Sequence, residues 1–404
     1  MPVGLTEPEL LLAVKGIRLS SVAAGIKKNG ANDLVLIEMV ENCQLAAVFT
    51  QNKFCAAPVT LAKKHLSNTV PRYLLINSGN ANAGTGEQGM QDAIQSCRLV
   101  SEQTACKLEE VLPFSTGVIG ENLPLEKIAG ALPELCQGLS EGNWLAAGRG
   151  IMTTDTLLKG FSKQFELQGK VVTITGLAKG AGMIQPNMAT MLSYIATDAL
   201  ISQKMLQQCI KTVVQSSFNS ITVDSDTSTN DACVLIATGC AENSKIEDDD
   251  ENYKVLFKAM SEVFVYLAQA IIRDAEGATK FVSLQVGSAR SVDDARQVAY
   301  TVAHSPLVKT ALFASDPNWG RILAAVGRAG VDFDLDKIKI YLDDVCIVSN
   351  GGRDAAYTEI QGQQVMQQQE ILIRIELNTG KHSACIWTSD LSYDYVKINS
   401  EYRS

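Results

Sequence analysis

One stretch of the sequence has the composition expected of a self-processing nucleophile: residues 179–198, KGAGMIQPNMATMLSYIATD. Its first half is rich in Gly and contains Pro186, so we expect an irregular backbone there. Its second half, TMLSYIAT, has the β-favouring side chains typical of a strand. Thr190 therefore lies where an irregular loop becomes a strand, and the small residue Ala189 immediately precedes it.

This junction suits a chain that cuts its own backbone before Thr190. After such a cut, the freed α-amine can act as the base that activates the hydroxyl of the same residue. The small side chain of Ala189 leaves the scissile carbonyl accessible, and a rigid strand would hold the nucleophile in place. The alternative is a loop that simply meets a buried strand, and the motif alone does not decide between the two.

Two other polar segments could complete such a site. The Thr116-Gly117 pair predicts a tight turn whose backbone N–H groups could stabilise an oxyanion. Glu276 follows a long amphipathic helix predicted over Tyr253–Ala275, where its carboxylate would suit a cationic amine. Each pattern is also common in segments that have no catalytic or binding role.

A polar run that ends at Asp231, DSDTSTND, leads into the predicted strand ACVLIA. It lacks the Gly and the terminal Glu of an EF-hand calcium loop, so a metal role is not supported. The glycine pattern GTGEQG at 84–89 raises the alternative of a dinucleotide site. Such a site needs glycines directly after a strand. Here six residues separate Asn77, the last residue of the predicted strand, from Gly84, the first glycine of the pattern.

Composition excludes several classes of protein. The 404 residues are 46% hydrophobic and 20% charged, which is typical of a globular chain with room for more than one core. The longest apolar runs are shorter than the ~18–20 residues that span a bilayer, and the first residues do not resemble a signal peptide. A net charge of −9 without a basic stripe argues against nucleic acid. We expect a cytoplasmic protein.

Cysteines and histidines give little support for a metal site or disulfides. The ten cysteines are scattered and form no C-x-x-C pair, so we expect reduced thiols. Apolar sequence surroundings predict burial of Cys43, Cys97, Cys209, Cys233, Cys346 and Cys385. The three histidines are far apart, which disfavours a zinc site or a histidine-based triad. We expect no metal and no bound cofactor.

Several segments together resemble the ornithine acetyltransferase family of arginine biosynthesis. The matching text runs in the family's order over nearly the whole chain: STGVIG, MTTDT, KGAGMIQPNMATML, DTSTND, DAEGATK and DPNWGR. The resemblance implies an α/β (α+β) fold, a layered N-terminal-nucleophile-like sandwich of the DmpA and ArgJ type with a smaller C-terminal α/β subdomain. It also places the glycine pattern at 84–89 in a structural loop near the active site.

The resemblance further implies self-cleavage between Ala189 and Thr190, with two copies of each fragment held together. The implied units are the first fragment, the part of the second fragment that completes the catalytic core, and the C-terminal subdomain: 1–189, 190–284 and 285–404. Thr190 becomes the nucleophile, and Thr116 and Gly117 form the oxyanion hole.

Substrate contacts are implied for residues in both fragments: Thr153, Lys179, Thr190, Glu276, Asn399 and Ser404. The Lys179 ammonium suits an amino-acid carboxylate. Ser404 stands where the family usually carries Thr, which keeps the hydroxyl and loses a methyl group.

The implied reaction moves acetyl from N2-acetyl-L-ornithine to L-glutamate through an acetyl-Thr190 intermediate. Acetyl-CoA as a second donor stays open, because family members with and without that activity share these motifs. We expect no nucleic-acid partner and no membrane partner. A related self-processing amidase or aminopeptidase is the nearer alternative, and a non-catalytic nucleotide-binding module is the more distant one.

Overall fold

Two β-sheets packed face to face, with helices on their outer sides, form the larger part of the computed structural model, which describes residues 2–185 and 191–402. The strands are β1 Ile17–Val22, β2 Leu34–Met39, β3 Gln44–Phe49, β4 Tyr73–Asn80, β5 Val111–Val118, β6 Lys159–Leu167, β7 Lys170–Lys179, β8 Leu192–Thr197, β9 Ile221–Thr222, β10 Ala232–Ala237, β11 Phe281–Ala289, β12 Lys339–Leu342, β13 Val345–Ser349, β14 Gly352–Arg353, β15 Glu370–Glu376 and β16 His382–Ser389. The helices are α1 Ala57–Asn68, α2 Gly86–Thr104, α3 Leu125–Gln137, α4 Trp144–Ile151, α5 Gln203–Val213, α6 Glu251–Arg273, α7 Val292–Ala303, α8 Pro306–Phe313, α9 Trp319–Gly327, α10 Glu359–Met366 and α11 Tyr393–Glu401.

The first sheet has the strand order β1-β2-β4-β5, and the second has the order β3-β10-β8-β7-β6. Their inner faces share one apolar core, in which the Phe114 ring of β5 meets the Tyr194 ring of β8 edge-on at 5.4 Å. Helices α2 and α3 cover the outer face of the first sheet, and α5 and α6 cover the outer face of the second. The predicted layered α/β sandwich is confirmed.

The central strands of the second sheet lie in the interior and bring several strand ends together. Every residue of β8 (LSYIAT) and of β10 (ACVLIA) is buried, as expected for strands covered on both faces. The two strands run parallel with Leu192 opposite Ala232, and Leu192 also pairs with Lys179 at the end of antiparallel β7. The ends of three neighbouring strands therefore meet at one edge of the sheet.

Helix α6 is the predicted amphipathic helix, found over Glu251–Arg273 rather than Tyr253–Ala275. Asp250 caps its first turn by accepting a hydrogen bond from the Tyr253 N–H at 2.8 Å. In the described residues it is the one helix long and apolar enough to cross a membrane, and just over half of its apolar window is buried in the core beneath β6 and β7.

A third sheet, ordered β14-β13-β12-β15-β11-β16-β9, forms the smaller C-terminal part with its own apolar core. Helices α7 and α9 supply much of the packing on this sheet. Its edge strand β9 comes from the larger part of the molecule and pairs through Ile221 with Trp387 of β16. The predicted smaller α/β subdomain is therefore present, and the exact boundary at 285 stays a prediction.

Candidate active site

A cavity of about 270 Å³ opens at the edge where β7, β8 and β10 meet. Its walls come from the end of β5, the loop after α4, the end of β7, the turn after α6, and α11. Six residues named from the sequence line it: Thr116, Gly117, Thr153, Lys179, Glu276 and Asn399. Residues from distant parts of the chain therefore share one cavity.

The predicted cleavage pair Ala189 and Thr190, and the terminal residue Ser404, lie outside the described residues. Their roles stay predictions. The residues directly after the junction, Met191 and Leu192, do line the cavity. The strand that follows the predicted nucleophile thus begins at the cavity wall.

Thr116 and Gly117 lie within strand β5, close to its end, so the prediction of a tight turn was wrong. Parallel pairing with β4 continues to this point, and a register irregularity at Asn80 ends it. Gly117 has a φ of 136°, and a Cβ there would lie 2.3 Å from the Gly79 carbonyl carbon. Because the obstacle is backbone, only glycine fits, and the strand end is held against β4.

Lys179, the last residue of β7, contacts the predicted oxyanion residue directly. Its Nζ donates a hydrogen bond to the Thr116 Oγ1 at 3.2 Å. Burial lowers the pKa of Lys179, while the carboxylates of Asp155 and Glu276 oppose that shift. An ammonium in this position can bind an anionic ligand group in the cavity.

Glu276 and Asn399 form a second polar pair on the cavity wall. The Asn399 Nδ2 donates to the Glu276 Oε2 at 2.7 Å, which connects α11 to the turn after α6. The Glu276 N–H donates to the Ala181 carbonyl at 3.0 Å. A Cβ at Gly182 would lie 2.4 Å from Oε2, so the absence of a side chain there allows the carboxylate to approach this loop.

Beneath the cavity lies a buried ion network that the sequence did not reveal. The Lys159 Nζ lies 2.6 Å from both Asp155 Oδ1 and Asp274 Oδ2, and its side chain has no exposed surface. Asp155 also accepts hydrogen bonds from the Gly180 N–H at 2.7 Å and the Thr153 N–H at 2.9 Å. The network therefore holds two segments of the cavity wall.

The charge state of this network follows from its partners. Burial alone would raise the pKa of Asp155, but the positive charges of Lys159 and Lys179 and the Gly180 hydrogen bond hold it well below its usual range. Asp155 is therefore an anion at neutral pH. The sequence showed this residue only as part of a hydroxyl-rich segment, because its partner Asp274 is distant along the chain.

Comparison with known proteins identifies the family to which these features belong. The sequence model of the ArgJ family matches residues 18–404 of this chain. This chain belongs to the ArgJ family. The arginine biosynthesis bifunctional protein ArgJ of Pseudomonas fluorescens is 56% identical over 406 residues, which cover 100% of both chains.

Two further proteins named ArgJ are similar to this chain. The protein of that name from Methylococcus capsulatus is 55% identical over 395 residues, covering 98% of this chain and 97% of its own length. A crystal structure of an ArgJ chain from Bacillus halodurans is 34% identical, with a TM-score of 0.49; it covers 51% of this chain and 96% of that chain.

Asp231 and Tyr402 also line this ArgJ-family cavity, and sequence reasoning did not single them out. The polar run before β10 does reach this cavity, because Ser228 to Asp231 lie on its wall. The register of β10 against β8 could have identified Asp231, but only once the parallel pairing was known.

The thiols and metal ligands of this ArgJ-family chain can be described directly. All ten cysteines are free thiols, as predicted. Cys346 and Cys385 are only partly buried, so the prediction of burial was wrong for these two, which lie on β13 and β16 of the C-terminal sheet. In residues 2–185 and 191–402, no group of three or more Cys, His, Asp or Glu is arranged to hold a metal ion.

Proposed function

We propose that this chain is a self-cleaving acetyltransferase of arginine biosynthesis that moves acetyl from N2-acetyl-L-ornithine to L-glutamate. The observation that carries the proposal is the shared cavity beside Met191, where an ammonium, a carboxylate and hydroxyl groups from separate elements converge. The family membership supports the same reaction, because relatives of more than half identity are named for arginine biosynthesis.

The proposed chemistry starts with cleavage before Thr190, which frees an α-amine. An α-amino group titrates near ~8, so at neutral pH a usable fraction is unprotonated and can accept the hydroxyl proton. The hydroxyl attacks the acetyl carbonyl, and Thr116 and Gly117 stabilise the oxyanion. Ornithine leaves, glutamate enters, and its amine takes the acetyl group from Thr190.

Charge explains how one cavity can accept both amino acids. Ornithine and glutamate share an α-carboxylate, which the Lys179 ammonium is positioned to bind beside Thr116. Only the ornithine side chain is cationic, and Glu276 supplies an anion on the same wall. Thr153, Asn399 and Ser404 complete the proposed substrate contacts.

Lys179→Ala should weaken the use of both substrates, whereas Glu276→Ala should impair the cationic donor more than glutamate. A charge-assisted hydrogen bond contributes about 1.5–3 kcal/mol, so we expect kcat/KM to fall by about tenfold to a hundredfold. Initial rates with each substrate varied in turn measure the effect. Lys170→Ala, at the exposed start of the same strand, is the matched control and should retain activity. Equal losses for both substrates in Glu276→Ala would argue against its assignment.

Kinetics should separate covalent transfer from direct transfer. If Thr190 carries the acetyl group, ornithine must leave before glutamate enters, so double-reciprocal plots at several glutamate concentrations should be parallel. Mass spectrometry after mixing with acetylornithine alone should find one acetyl group on fragment 190–404. Converging plots and no acetylated fragment would mean direct transfer in a ternary complex. Release of acetate without an amine acceptor would favour the amidase alternative.

We extend the proposal to a second acetyl donor. The Pseudomonas fluorescens relative is named a bifunctional protein, and acetyl-CoA with glutamate is the second activity that we propose for this chain. No cofactor is required for either reaction, because the acyl carrier is a side chain. We further propose a cytoplasmic assembly with two copies of each fragment, without nucleic acid or membrane partners.

A further inference from the structure

Asp231 lies at the start of β10, directly beside the start of β8. The Ala232 N–H donates to the Met191 carbonyl at 3.0 Å, and Ala232 pairs with Leu192. On the other side of β8, Leu192 pairs with Lys179. Lys179 and Asp231 both line the cavity, so they flank the point at which β8 begins.

The Asp231 carboxyl is buried, and one of its oxygens has no hydrogen-bond partner among the described residues. The residue is 2% exposed, and Oδ2 has no hydrogen-bond partner in the part of the chain that the structure describes. Interactions with the Ser228 side chain and the Met191 backbone lower the pKa of this carboxyl, but they do not outweigh its burial. An ionised carboxylate with one bare, buried oxygen would be costly, whereas a protonated Oδ2 carries an O–H that can be donated.

Burial favours the protonated form of Asp231 over the ionised form. Burial raises the pKa of Asp231 well above its usual range, and Ser228, Lys179 and Met191 offset this only in part. Lys179 is also hydrogen-bonded to Thr116, and its positive charge interacts with other carboxylates nearby. Asp231 thus differs from Asp155, which is held as an anion by a direct ion pair.

We propose that Asp231 is a neutral carboxylic acid that donates a hydrogen bond from Oδ2 to the acyl oxygen during transfer. The inference rests on the proposed acetyl transfer and adds one donor to those proposed for Thr116 and Gly117. A carboxylic acid kept neutral in an apolar site can serve as a hydrogen-bond donor at neutral pH. The hydrogen bond from Oδ2 becomes stronger as negative charge develops on the acyl oxygen. Its loss should therefore lower mainly kcat.

The protonation state can be measured without any substrate. Infrared spectroscopy of the full chain at neutral pH should show the carbonyl band of a protonated carboxylic acid, and Asp231→Asn should remove it. Asp198→Asn is the matched control, because Asp198 is also a buried carboxyl with a raised pKa but does not line the cavity. The difference band assigned to Asp231 should persist in that variant. Its absence from the wild type would overturn the proposal.

Activity then tests the donor itself. The amide of Asp231→Asn keeps a donor and an acceptor, so we expect kcat within about tenfold of the wild type. Asp231→Ala removes the donor, and kcat should fall by about 10²–10³ with a smaller change in KM. Asp198→Asn should transfer acetyl at the wild-type rate. If Asp231→Ala does not fold, the infrared measurement and the Asn variant still decide the question.

Two kinetic outcomes would overturn the inference. Equal impairment of the Asn and Ala variants would mean that a carboxylate, rather than a neutral donor, is needed. Full activity of Asp231→Ala would mean that no donor acts there. Acetyl transfer by a wild type that lacks the infrared band would overturn this inference alone. A wild type that has the band but transfers no acetyl would overturn the proposed function, and the donor role with it.

Discussion

Thr190→Ala should leave the chain in one piece and without acetyltransferase activity. The variant lacks the hydroxyl that attacks the Ala189 carbonyl, and it also lacks the acyl carrier. A denaturing gel should show one band for the variant and two for the wild type. N-terminal sequencing of the larger wild-type piece should begin TMLSY.

Two further variants make this result specific. Thr190→Ser keeps a hydroxyl and should still be cut. Thr197→Ala, at the far end of the same buried strand, removes a hydroxyl whose oxygen accepts a hydrogen bond from the Ala199 N–H at 3.2 Å, and it should be cut normally. Full activity in an uncut chain would refute the mechanism.

Lys159→Met should destabilise the protein more than any surface substitution. The change leaves the carboxylates of Asp155 and Asp274 buried without their shared cation. Breaking a buried ion pair by removing one partner costs about 3–5 kcal/mol. Thermal or denaturant unfolding of the full chain measures the loss. Acetyl transfer should fall as well, because Asp155 also holds the N–H groups of Thr153 and Gly180.

Lys163→Met provides the matched control on the same strand. Its ammonium pairs with Glu262 at a site that is open to solvent. Exposed pairs contribute about 0–1 kcal/mol, so this variant should unfold close to the wild type. If the two variants lost the same stability, the buried network would not have the structural role described for it.

The architecture could be predicted where periodicity and burial act over short distances. The apolar runs that became β8 and β10, and the amphipathic run that became α6, were recognisable because each buries a face defined by its own sequence. The family resemblance supplied what local patterns could not, namely the layers and the set of site residues.

Features that depend on long-range contacts could not be predicted. The Lys159 network joins Asp155 to Asp274, which lie far apart in sequence, and no local spacing indicates that pairing. The Thr116-Gly117 segment has the composition of a turn, but pairing with β4 keeps it in a strand. Asp231 becomes a candidate only when parallel strands place it beside Met191.

The strand order of the second sheet has a consequence for how the mature protein can be made. If the chain is cut before Thr190, β3, β7 and β6 belong to one piece, and β10 and β8, which lie between them, belong to the other. Neither piece then holds the whole of this second sheet, because β10 and β8 of the second piece lie between β3 and β7 of the first. The uncut chain would then bring these strands together before the backbone is cut. Separately synthesised pieces would each expose unpaired strand edges, so we expect them to aggregate rather than reconstitute the enzyme.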